Sequence, residues 1–435
     1  MSFTPNGSGR RVAIVDGMRT PFARAWTTFK DLGAADLGGA AVRSLLTTAD
    51  IDPREVEQLF FGCVAATPHG PHIGREVVFR TPIRPQVPAV TVQLYCASAA
   101  RAVVDGANEI AMGNADVVVA GGAESMSEAQ ALWPKKVTHA LQRASKARTL
   151  GQRLGAFKGL HLRDLKPESP GIAEPTTGQS MGESAEIMAK DLGVRREDQD
   201  AWALESHRRS AAAYEAGRMQ EEVCALPLAP SFEETVARDT DVRTDTSLEQ
   251  LARLRPVFDR KYGTVTAGNS SPLTDGAAAV LLMSEQRARD LGCEPLAYIR
   301  SYAMVGVDLQ REHLLLGPTY SAPIALRRAG MELAEMDMIE MHEAFACQVL
   351  ATIQRFESPE FGRSVGLAGP IIPEVDRERL NPNGGSIAVG HPFGATGARV
   401  ISQCAHEMVR RDYTKAFISI CAAGGHGFSM VLVRE

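Results

Sequence analysis

The 435-residue sequence lacks any apolar run approaching 18 residues, the length that a helix needs to cross a membrane. Its first residues, MSFTPNGSGRRVAIVDG, lack the apolar segment of a signal peptide and reach strand-like residues within a dozen positions. Charge of neither sign dominates, since the formal net charge is −5. We therefore expect a globular protein with no spanning helix, no targeting peptide and no overall attraction to nucleic acid.

Cysteine is sparse, with seven residues, an odd number, and no CxxC pair. This usage predicts reduced thiols in a cytoplasmic protein rather than a disulfide framework. Zinc signatures are also missing, because Ala346 stands where an HExxH motif beginning at His342 would need its second histidine. No Walker loop and no strand-linked GxGxxG occurs. The residues therefore indicate neither a metal nor a nucleotide cofactor.

Residues 91–126 form the most informative stretch, TVQLYCASAARAVVDGANEIAMGNADVVVAGGAESM. A short apolar approach leads to Cys96, and the apolar residues that follow recur at helical spacing, so Cys96 is predicted at or just before a helix N-terminus. Unpaired N–H groups at such a position favour a thiolate, and we expect them to lower the pKa of the Cys96 thiol. A small buried cysteine without a chemical role is the alternative that this stretch leaves open.

Strands and helices alternate along the first part of the chain. The predicted elements are a strand at 11–15, a helix at about 36–48, a strand at about 58–64, the Cys96 helix, and a strand at 115–120 that ends in Gly121-Gly122. This alternation predicts an α/β fold whose ligands gather at the strand ends.

The same layout returns near the C-terminus, which indicates an internal duplication. Residues 322–345 repeat the helix, turn and strand of residues 40–62, and residues 394–425 repeat the helix, strand and glycine pair of residues 96–122. Two halves with pseudo-twofold symmetry would face each other across a cleft. We predict an N-terminal half at 1–126 completed by 271–295, an inserted domain at 127–270 and a C-terminal half at 296–435.

The predicted insertion differs in composition. Between residues 135 and 166 nine basic residues accompany one acidic residue, Asp164, which predicts a cationic surface. Two polar amphipathic helices are predicted farther on, at 184–192 and 196–216. Within the basic segment six residues can form an apolar stripe: Leu150, Leu154, Phe157, Leu160, Leu162 and Leu165. Such a segment can cover a ligand entrance, dock a partner or lie on an anionic membrane, and packing of the leucines in a core is the alternative.

Three short motifs are predicted to meet in the cleft. MHEAFA places His342 at the end of a strand, GHPFGATGAR places His391 in a glycine-rich turn before a helix, and ICAAGGHG places Cys421 at the end of a strand. A single histidine or cysteine is more often structural than functional. Two cysteines, counting Cys96, and two histidines at duplicated strand and helix ends are hard to reconcile with chance, and they indicate one shared site.

On these motifs the sequence resembles the thiolase family over nearly its whole length. The matching segments are the Cys96 stretch, HEAFA, GHPFGATGAR, CAAGGHG, VAGGAESMS (119–127), SMGESAE (180–186) and AGNSSPLTDGAAAVLLMSE (267–285). Most thiolases have asparagine where His342 stands. The sequence is therefore most similar to the degradative branch with the HEAF motif, which includes the thiolase beta subunit of the fatty-acid oxidation trifunctional complex.

Two positions depart from the family pattern. Ala99 stands where many thiolases have glycine, a change that affects helix packing. Ala423 replaces the first glycine of the usual Cys-x-Gly-Gly-Gly but keeps a backbone N–H. An oxyanion hole built from the main chain is therefore still expected.

The resemblance implies a thiolase fold, an α/β fold with two duplicated βαβαβαββ-type halves in an α-β-α-β-α layering and an inserted loop domain. It also implies acetyl-CoA C-acyltransferase activity, which cleaves 3-ketoacyl-CoA with CoA in fatty-acid beta-oxidation by a ping-pong route. Cys96 would be the nucleophile and carry the acyl group, His391 its base, and Cys421 the acid for the departing carbanion.

The resemblance assigns supporting roles to further residues. His342 would help to place a donor against the thioester oxygen, with Glu343 orienting the network, and the N–H groups of Cys96 and Ala423 would hold the tetrahedral oxyanion. Ser271 matches a position that contacts the pantetheine chain of CoA, and Met181 lies in a segment that lines it. CoA and acyl-CoA are substrates, so neither a cofactor nor a metal is expected. Cations of the 135–166 segment could bind or steer the CoA phosphates, or form only a solvated face.

Other assignments remain open. The motifs do not fix the reaction's direction, so a biosynthetic acetoacetyl-CoA thiolase is one alternative, and a subunit acting mainly within a trifunctional assembly is another. A ketoacyl-carrier-protein synthase shares the duplicated fold but lacks the second cysteine, so Cys421 argues against it. We expect a cytoplasmic homodimer or homotetramer that does not bind nucleic acid. A hydratase/dehydrogenase partner subunit and peripheral membrane contact through residues 135–166 are further expectations.

Overall fold

The computed structural model describes residues 9–68, 70–129, 132–167, 173–228 and 231–434. Within these ranges, no helix combines the length and the apolar character that crossing a bilayer requires. The chain divides into two compact units, a larger one of Met1–Glu128 with Met181–Glu435 and a smaller one of Ala129–Ser180. The smaller unit covers only the first part of the predicted insertion, because residues 181–270 fall in the larger unit.

The described residues form twelve strands, numbered in chain order: β1 (Val12–Arg19), β2 (Ala23–Arg24), β3 (Gln58–Gly62), β4 (Ala89–Val92), β5 (Val117–Glu124), β6 (Leu226–Pro227), β7 (Thr235–Val236), β8 (Thr274–Ser284), β9 (Ala297–Gly306), β10 (Met338–Met341), β11 (Lys415–Ala422) and β12 (His426–Val433). Ten of these strands form one sheet in the order β10-β11-β12-β9-β1-β8-β5-β3-β4, with β2 beside β8. Strands β6 and β7 form a separate pair.

The described residues also form fourteen α-helices: α1 (Ala34–Thr48), α2 (Ile73–Phe79), α3 (Ser98–Met112), α4 (Lys135–Lys146), α5 (Leu150–Gly155), α6 (Met181–Asp191), α7 (Arg196–Glu215), α8 (Leu248–Ala252), α9 (Glu285–Asp290), α10 (Gly317–Ala329), α11 (Ala346–Phe356), α12 (Pro359–Ser364), α13 (Ser386–Val389) and α14 (Thr396–Arg410). The helices predicted at 36–48, 184–192 and 196–216 are confirmed as α1, α6 and α7, with ends that differ by at most three residues.

The sheet consists of two halves with the same pairing pattern. In the first half β3 and β5 are parallel, and β8 is antiparallel to both β5 and β1. In the second half β10 and β11 are parallel, and β12 is antiparallel to both β11 and β9. A short antiparallel contact between β1 and β9 joins the halves. The predicted duplicated α/β fold is therefore confirmed.

Helices cover both half-sheets and lie between them. Helices α1 and α2 pack on the outer face of the first half-sheet, and α10 and α11 border the second. Helices α3 and α14 pack against each other between the half-sheets, and their apolar side chains share one core with strands from both halves. This arrangement gives five layers, helix-sheet-helix-sheet-helix, and brings the N-terminal ends of α3 and α14 together.

Strand β5 does not end at its glycine pair, so the predicted strand end at Gly121-Gly122 is wrong. Both glycines lie inside the strand, which continues to Glu124. A Cβ atom on Gly122 would lie 1.9 Å from the carbonyl oxygen of Gly394, in the turn before α14. The glycines therefore allow a close approach of two backbones rather than ending a strand.

The smaller unit contains α4, α5 and a short 3-10 helix, Leu162–Leu165. Inside it, Lys136 pairs with Asp164 at 2.6 Å. The side chains of Leu150, Leu154 and Leu162 are 74%, 67% and 89% exposed. Packing of these three leucines in a core, the alternative left open by the sequence, is therefore wrong. These three leucines are exposed within the basic segment.

Candidate active site

Cys96 lies in a tight turn between β4 and α3. The preceding residue, Tyr95, has φ = +49°, a left-handed conformation that is uncommon for a residue with a side chain. The hydroxyl of Ser98 closes this turn by donating to the Tyr95 carbonyl at 2.6 Å and accepting from the Leu94 N–H at 2.8 Å. Ala97 is the N-cap of α3, so Cys96 lies just before the helix, as predicted. Its side chain is half-buried against the core around α3 and α14.

Two histidines from the C-terminal half reach the same place. His342 directly follows β10, and His391 lies in the turn before α14, as predicted. Their ring centroids are 4.2 Å apart. The Sγ atom of Cys96 and one ring nitrogen of each histidine all lie within 4.8 Å of one another. The structure therefore brings a thiol and two imidazoles from distant parts of the sequence into one cluster.

Each imidazole has one bonded and one free nitrogen. Nδ1 of His342 lies 2.9 Å from Oγ of Ser386, and Nδ1 of His391 lies 2.6 Å from Oγ1 of Thr396. Nε2 of both rings is buried without a hydrogen-bond partner among the described residues. These unpaired nitrogens, enclosed in the core beside a thiol, are available to a bound substrate.

Burial keeps both imidazoles neutral. Burial, with the neighbouring His391 ring and the Arg399 guanidinium, holds the pKa of His342 well below its usual value. Burial and Arg399 lower the pKa of His391 to about 3. A neutral imidazole can accept a proton at one nitrogen or donate from the other, so both rings can take part in acid–base chemistry near neutral pH.

The Cys96 thiol is neutral at rest, and the predicted lowering of its pKa is wrong. Burial raises the pKa of Cys96 to about 12, although the backbone N–H groups of Ala423 and of Cys96 itself act in the opposite direction. Desolvation of a thiolate outweighs the helix terminus here because the residue precedes the N-cap and lies against the core. The thiol therefore needs a base at the moment of attack.

Cys421 is the second to last residue of β11 and is almost fully buried. Burial raises the pKa of its thiol well above the usual value, and Cys96 raises it further. Cys421 lies in the same apolar cluster as Ala344 of the HEAFA motif, which carries His342. Ala423 follows the strand, and Gly424 and Gly425 have φ of +73° and +70°. This left-handed turn directly follows Ala423, whose backbone N–H points toward Cys96.

Glu343 is fully buried and accepts four hydrogen bonds. The donors are Trp202 Nε1 at 3.1 Å, Ser206 Oγ at 2.7 Å, Asn381 Nδ2 at 2.9 Å and the Ile387 N–H at 3.2 Å. None of these four donors belongs to a histidine. Glu343 thus fixes the backbone next to His342 and next to Ser386, which is an indirect way of orienting the imidazoles.

The two predicted substrate-contact residues lie beside the cluster. The hydroxyl and the N–H of Ser271 both donate to the carbonyl of Ala344, at 3.1 Å and 3.0 Å, within the HEAFA motif. Met181 begins α6 and packs against an apolar cluster that contains Ala344 and Cys421. Both residues therefore border the segment that carries His342.

A cavity of about 170 Å³ opens next to Ser270. Its lining includes Arg24, which is paired with Asp241, and Arg243, together with the apolar side chains of Leu251 and Leu254. Arginine side chains suit phosphate groups, and leucines suit the flat faces or chains of an organic ligand.

Three polar residues of the site were not singled out from the sequence: Ser386, Thr396 and Arg399. Arg399 is fully buried, and its Nη2 donates to Ser386 Oγ at 2.6 Å. A signal was present, since Thr396 and Arg399 stand in the same GHPFGATGAR segment as His391. Arg399 is one of several polar residues on the buried face of α14, and a buried arginine has to be paired with another polar group.

The cluster offers two kinds of chemistry. A thiol beside neutral imidazoles and backbone N–H groups suits covalent catalysis at a carbonyl carbon. A cysteine and two histidines are also common zinc ligands, and Cys96, His342 and His391 are near enough to share an ion. However, the cationic Arg399 donates to Ser386, whose hydroxyl contacts His342, and this nearby positive charge disfavours a divalent cation.

The sequence matches the models of a known protein family along nearly its whole length. A model of the "Thiolase, N-terminal domain" matches residues 12–286, and a model of the "Thiolase, C-terminal domain" matches residues 293–434. A protein of Shewanella pealeana named 3-ketoacyl-CoA thiolase is 46% identical over 430 residues, which cover 99% of this chain and 98% of the relative.

Two solved structures have the same fold. Human mitochondrial 3-ketoacyl-CoA thiolase in complex with CoA is 32% identical, with a TM-score of 0.83, and the match covers 98% of each chain. The acetyl-CoA acetyltransferase of Bacillus anthracis is 28% identical, with a TM-score of 0.84, and the match covers 98% of this chain and 100% of that one.

Proposed function

Because this chain belongs to the thiolase family, we propose that it is a 3-ketoacyl-CoA thiolase, which cleaves 3-ketoacyl-CoA with CoA to acetyl-CoA and a shortened acyl-CoA. The observation that carries this proposal is the cluster in which Cys96 Sγ and one ring nitrogen each of His342 and His391 lie within 4.8 Å. A nucleophile, a base and a hydrogen-bond donor are the groups that an acyl transfer through a covalent intermediate requires.

In the first half-reaction Cys96 attacks the keto carbon while His391 takes the thiol proton. The bond between C2 and C3 then breaks, the acyl group stays on Cys96, and acetyl-CoA leaves as a carbanion. Cys421 gives its proton to that carbanion and becomes a thiolate. At this point His391 carries one extra proton and Cys421 lacks one, so the charges balance.

The second half-reaction restores both groups. The Cys421 thiolate takes the proton of an incoming CoA, whose sulfur attacks the acyl-Cys96 thioester. Cys96 leaves as a thiolate and regains its proton from His391. Each residue ends in its starting state, which gives the ping-pong sequence expected for this chemistry.

Backbone and side-chain donors meet the negative charge that develops at oxygen. The N–H groups of Cys96 and Ala423 are directed at the thiol and suit the tetrahedral oxyanion formed there. His342 suits the thioester oxygen of the enolate, because its free Nε2 lies in the same cluster. Glu343 contributes by fixing the backbone around this donor.

The cavity beside Ser270 supports binding of CoA. Arg243 in its lining suits the phosphates, and Leu251 and Leu254 suit the less polar parts of the ligand. The pantetheine chain would then pass Ser271 and Met181 on its way to Cys96. No metal or redox cofactor takes part in this proposal, since every proton and electron pair is handled by side chains and substrates.

The degradative direction is proposed over acetoacetyl-CoA synthesis. The Shewanella pealeana protein named 3-ketoacyl-CoA thiolase is more similar in sequence to this chain than the acetyl-CoA acetyltransferase of Bacillus anthracis. We place the chain in cytoplasmic fatty-acid beta-oxidation as a homo-oligomer, with the seven unpaired cysteines supporting a reducing compartment.

The smaller unit supports a docking role. Leu150, Leu154 and Leu162 are exposed within a segment rich in Arg and Lys, a combination that suits an anionic membrane surface or an apolar patch of a hydratase/dehydrogenase subunit. We infer that the enzyme also works as the thiolase component of a larger assembly, with this segment as the attachment point.

A steady-state assay tests the proposal. Purified protein should cleave short, medium and long 3-ketoacyl-CoAs in the presence of CoA, and the rates should be unchanged after dialysis against a chelator. Faster condensation of acetyl-CoA than cleavage of any longer substrate would favour the biosynthetic assignment. Loss of activity on chelation, restored by zinc, would instead assign the cluster to a metal.

A further inference from the structure

The two histidines of the cluster are held by hydroxyl groups with different surroundings. His342 faces Ser386, whose oxygen also lies 2.6 Å from Nη2 of Arg399. His391 faces Thr396, whose oxygen also lies 3.0 Å from the carbonyl oxygen of Pro392. The second partner is thus a donor in one case and an acceptor in the other, and this difference decides where the imidazole protons lie.

Ser386 is left with a proton to give. A guanidinium only donates, so the Ser386 oxygen accepts from Arg399. The hydroxyl hydrogen then has one acceptor within the observed contacts, Nδ1 of His342. A neutral imidazole that accepts at Nδ1 carries its hydrogen at Nε2. The positive charge of Arg399 acts in the same direction, because it favours a lone pair rather than an N–H at the nearer nitrogen.

Thr396 is left with a lone pair to offer. If its hydroxyl donates to the Pro392 carbonyl, its oxygen can accept from Nδ1–H of His391, and two hydrogen bonds form. If the hydroxyl donates to His391 instead, only one forms. The arrangement with two bonds leaves Nε2 of His391 without a hydrogen, as a proton acceptor.

We propose that Arg399, acting through Ser386, is a positioning residue that keeps His342 in the Nε2–H form. Thr396 keeps His391 in the opposite, Nδ1–H form. The pair then presents one donor and one acceptor to a group bound at Cys96. The catalytic roles of the two histidines rest on the proposed function. The positions of their protons do not depend on that function.

The two tautomers give His342 and His391 different roles in the reaction. An Nε2–H at His342 can stabilise negative charge on a thioester oxygen, whereas a bare nitrogen there would repel it. A bare Nε2 at His391 can take the Cys96 proton, whereas an N–H could not. Arg399 can hold its place without solvent because Glu340 lies 3.3 Å from its Nη1, and both side chains are fully buried.

The test is histidine side-chain NMR on the full-length protein labelled with 15N-histidine, with signals assigned by His342→Gln and His391→Gln variants. In the wild type, His342 should be protonated at Nε2 and His391 at Nδ1. Ser386→Ala should abolish the preference at His342 and lower kcat for acyl transfer about 10²- to 10³-fold with little change in KM. Ser386→Thr, which retains a hydroxyl, should restore much of both.

Ser402→Ala is the matched control. Ser402 is a buried serine on α14, like Arg399, but its hydroxyl has no hydrogen-bond partner among the described residues. Its loss should leave the spectrum and kcat unchanged. The double variant Arg399→Gln with Glu340→Gln avoids an unpaired buried charge and should weaken the preference at His342 while leaving His391 as in the wild type.

Two results would overturn the inference. One is a wild-type spectrum with His342 protonated at Nδ1. The other is a Ser386→Ala variant whose His342 spectrum and kcat match the wild type. Failure of the proposed function would be seen separately, because the expected spectrum without turnover of any acyl-CoA would uphold the proton assignment and reject the thiolase activity.

Discussion

The imidazole rings of His342 and His391 lie 4.2 Å apart, and neither has a charged hydrogen-bond partner. Two adjacent imidazolium ions in the core would repel each other, and Arg399 adds a third positive charge nearby. The site therefore keeps both imidazoles neutral at rest. Its reactivity has to arise from proton transfers within the bound complex.

Cys96 should carry the acyl group. Incubation with a 3-ketoacyl-CoA in the absence of free CoA should leave an acyl adduct on the peptide that contains Cys96, because its thiol is the one beside a base and two N–H groups. Mass spectrometry detects the adduct, and Cys96→Ser should abolish it. An adduct on Cys421 instead would reverse the roles of the two cysteines.

Cys421 should transfer protons and should not carry the acyl group. Cys421→Ala should still be acylated slowly by an acyl-CoA donor, but exchange of the α-hydrogens of acetyl-CoA with solvent should fall roughly 10²- to 10⁴-fold. The exchange is followed by NMR in D₂O. Cys224→Ala serves as a control, since Cys224 is a free cysteine outside the cluster. Exchange at the wild-type rate in Cys421→Ala would contradict the acid role.

The rate of Cys96 alkylation should keep rising with pH into the alkaline range. With a pKa of about 12, the thiolate fraction of the free enzyme grows about tenfold per pH unit below that value. The rate of modification by iodoacetamide, measured on the Cys96 peptide, should therefore rise from pH 7 to pH 10 without a plateau. A plateau near neutral pH would mean that the pKa is lowered after all.

Neutralising the basic segment should affect docking and leave catalysis intact. Replacing Arg148, Arg153, Lys158 and Lys166 by Gln should reduce sedimentation with anionic liposomes or co-purification with a hydratase/dehydrogenase chain, while KM for CoA stays the same. The matched control replaces four exposed cations of the larger unit: Lys30, Arg84, Arg311 and Arg363. A raised KM for CoA alone would assign the patch to substrate steering, and no effect would leave it a solvated surface.

Gly122→Ala should destabilise the larger unit. Its new methyl group would meet the Gly394 carbonyl oxygen at 1.9 Å, and overpacking of this kind costs about 1–3 kcal/mol. A lower midpoint temperature of thermal unfolding measures this loss of stability. Gly151→Ala is the control, since a Cβ there meets nothing within 4 Å and lies in α5, so it should be neutral or slightly stabilising. Equal midpoints for the two variants would refute the close-approach argument.

Much of the fold could be predicted from the sequence because local sequence patterns indicate the duplication. Each half repeats helix, strand and glycine pair at similar spacing, and the parallel and antiparallel pairing followed this repeat. The end of β5 could not be predicted in the same way. Gly122 acts through a contact with Gly394, and no local pattern reports a contact between segments so far apart.

For the site, residue identities were predictable and electrostatics were not. Cys96, His342, His391 and Cys421 could be singled out because strand and helix ends converge in a duplicated fold. The pKa of Cys96 was predicted in the wrong direction, since the helix terminus is visible in the sequence while the extent of burial is not. Arg399 was missed for a similar reason, because only the folded chain brings it to Ser386.

The equivalence of α3 and α14 has a consequence for the chemistry of this protein. Cys96 lies in the turn before α3 and His391 in the turn before α14, so turns that precede equivalent helices carry a nucleophile and its base, although not at equivalent positions. The turn before α3 carries no histidine and the turn before α14 carries no cysteine. The proposed chemistry therefore depends on the sequence difference between the two repeats, because each turn supplies a group that the equivalent turn lacks.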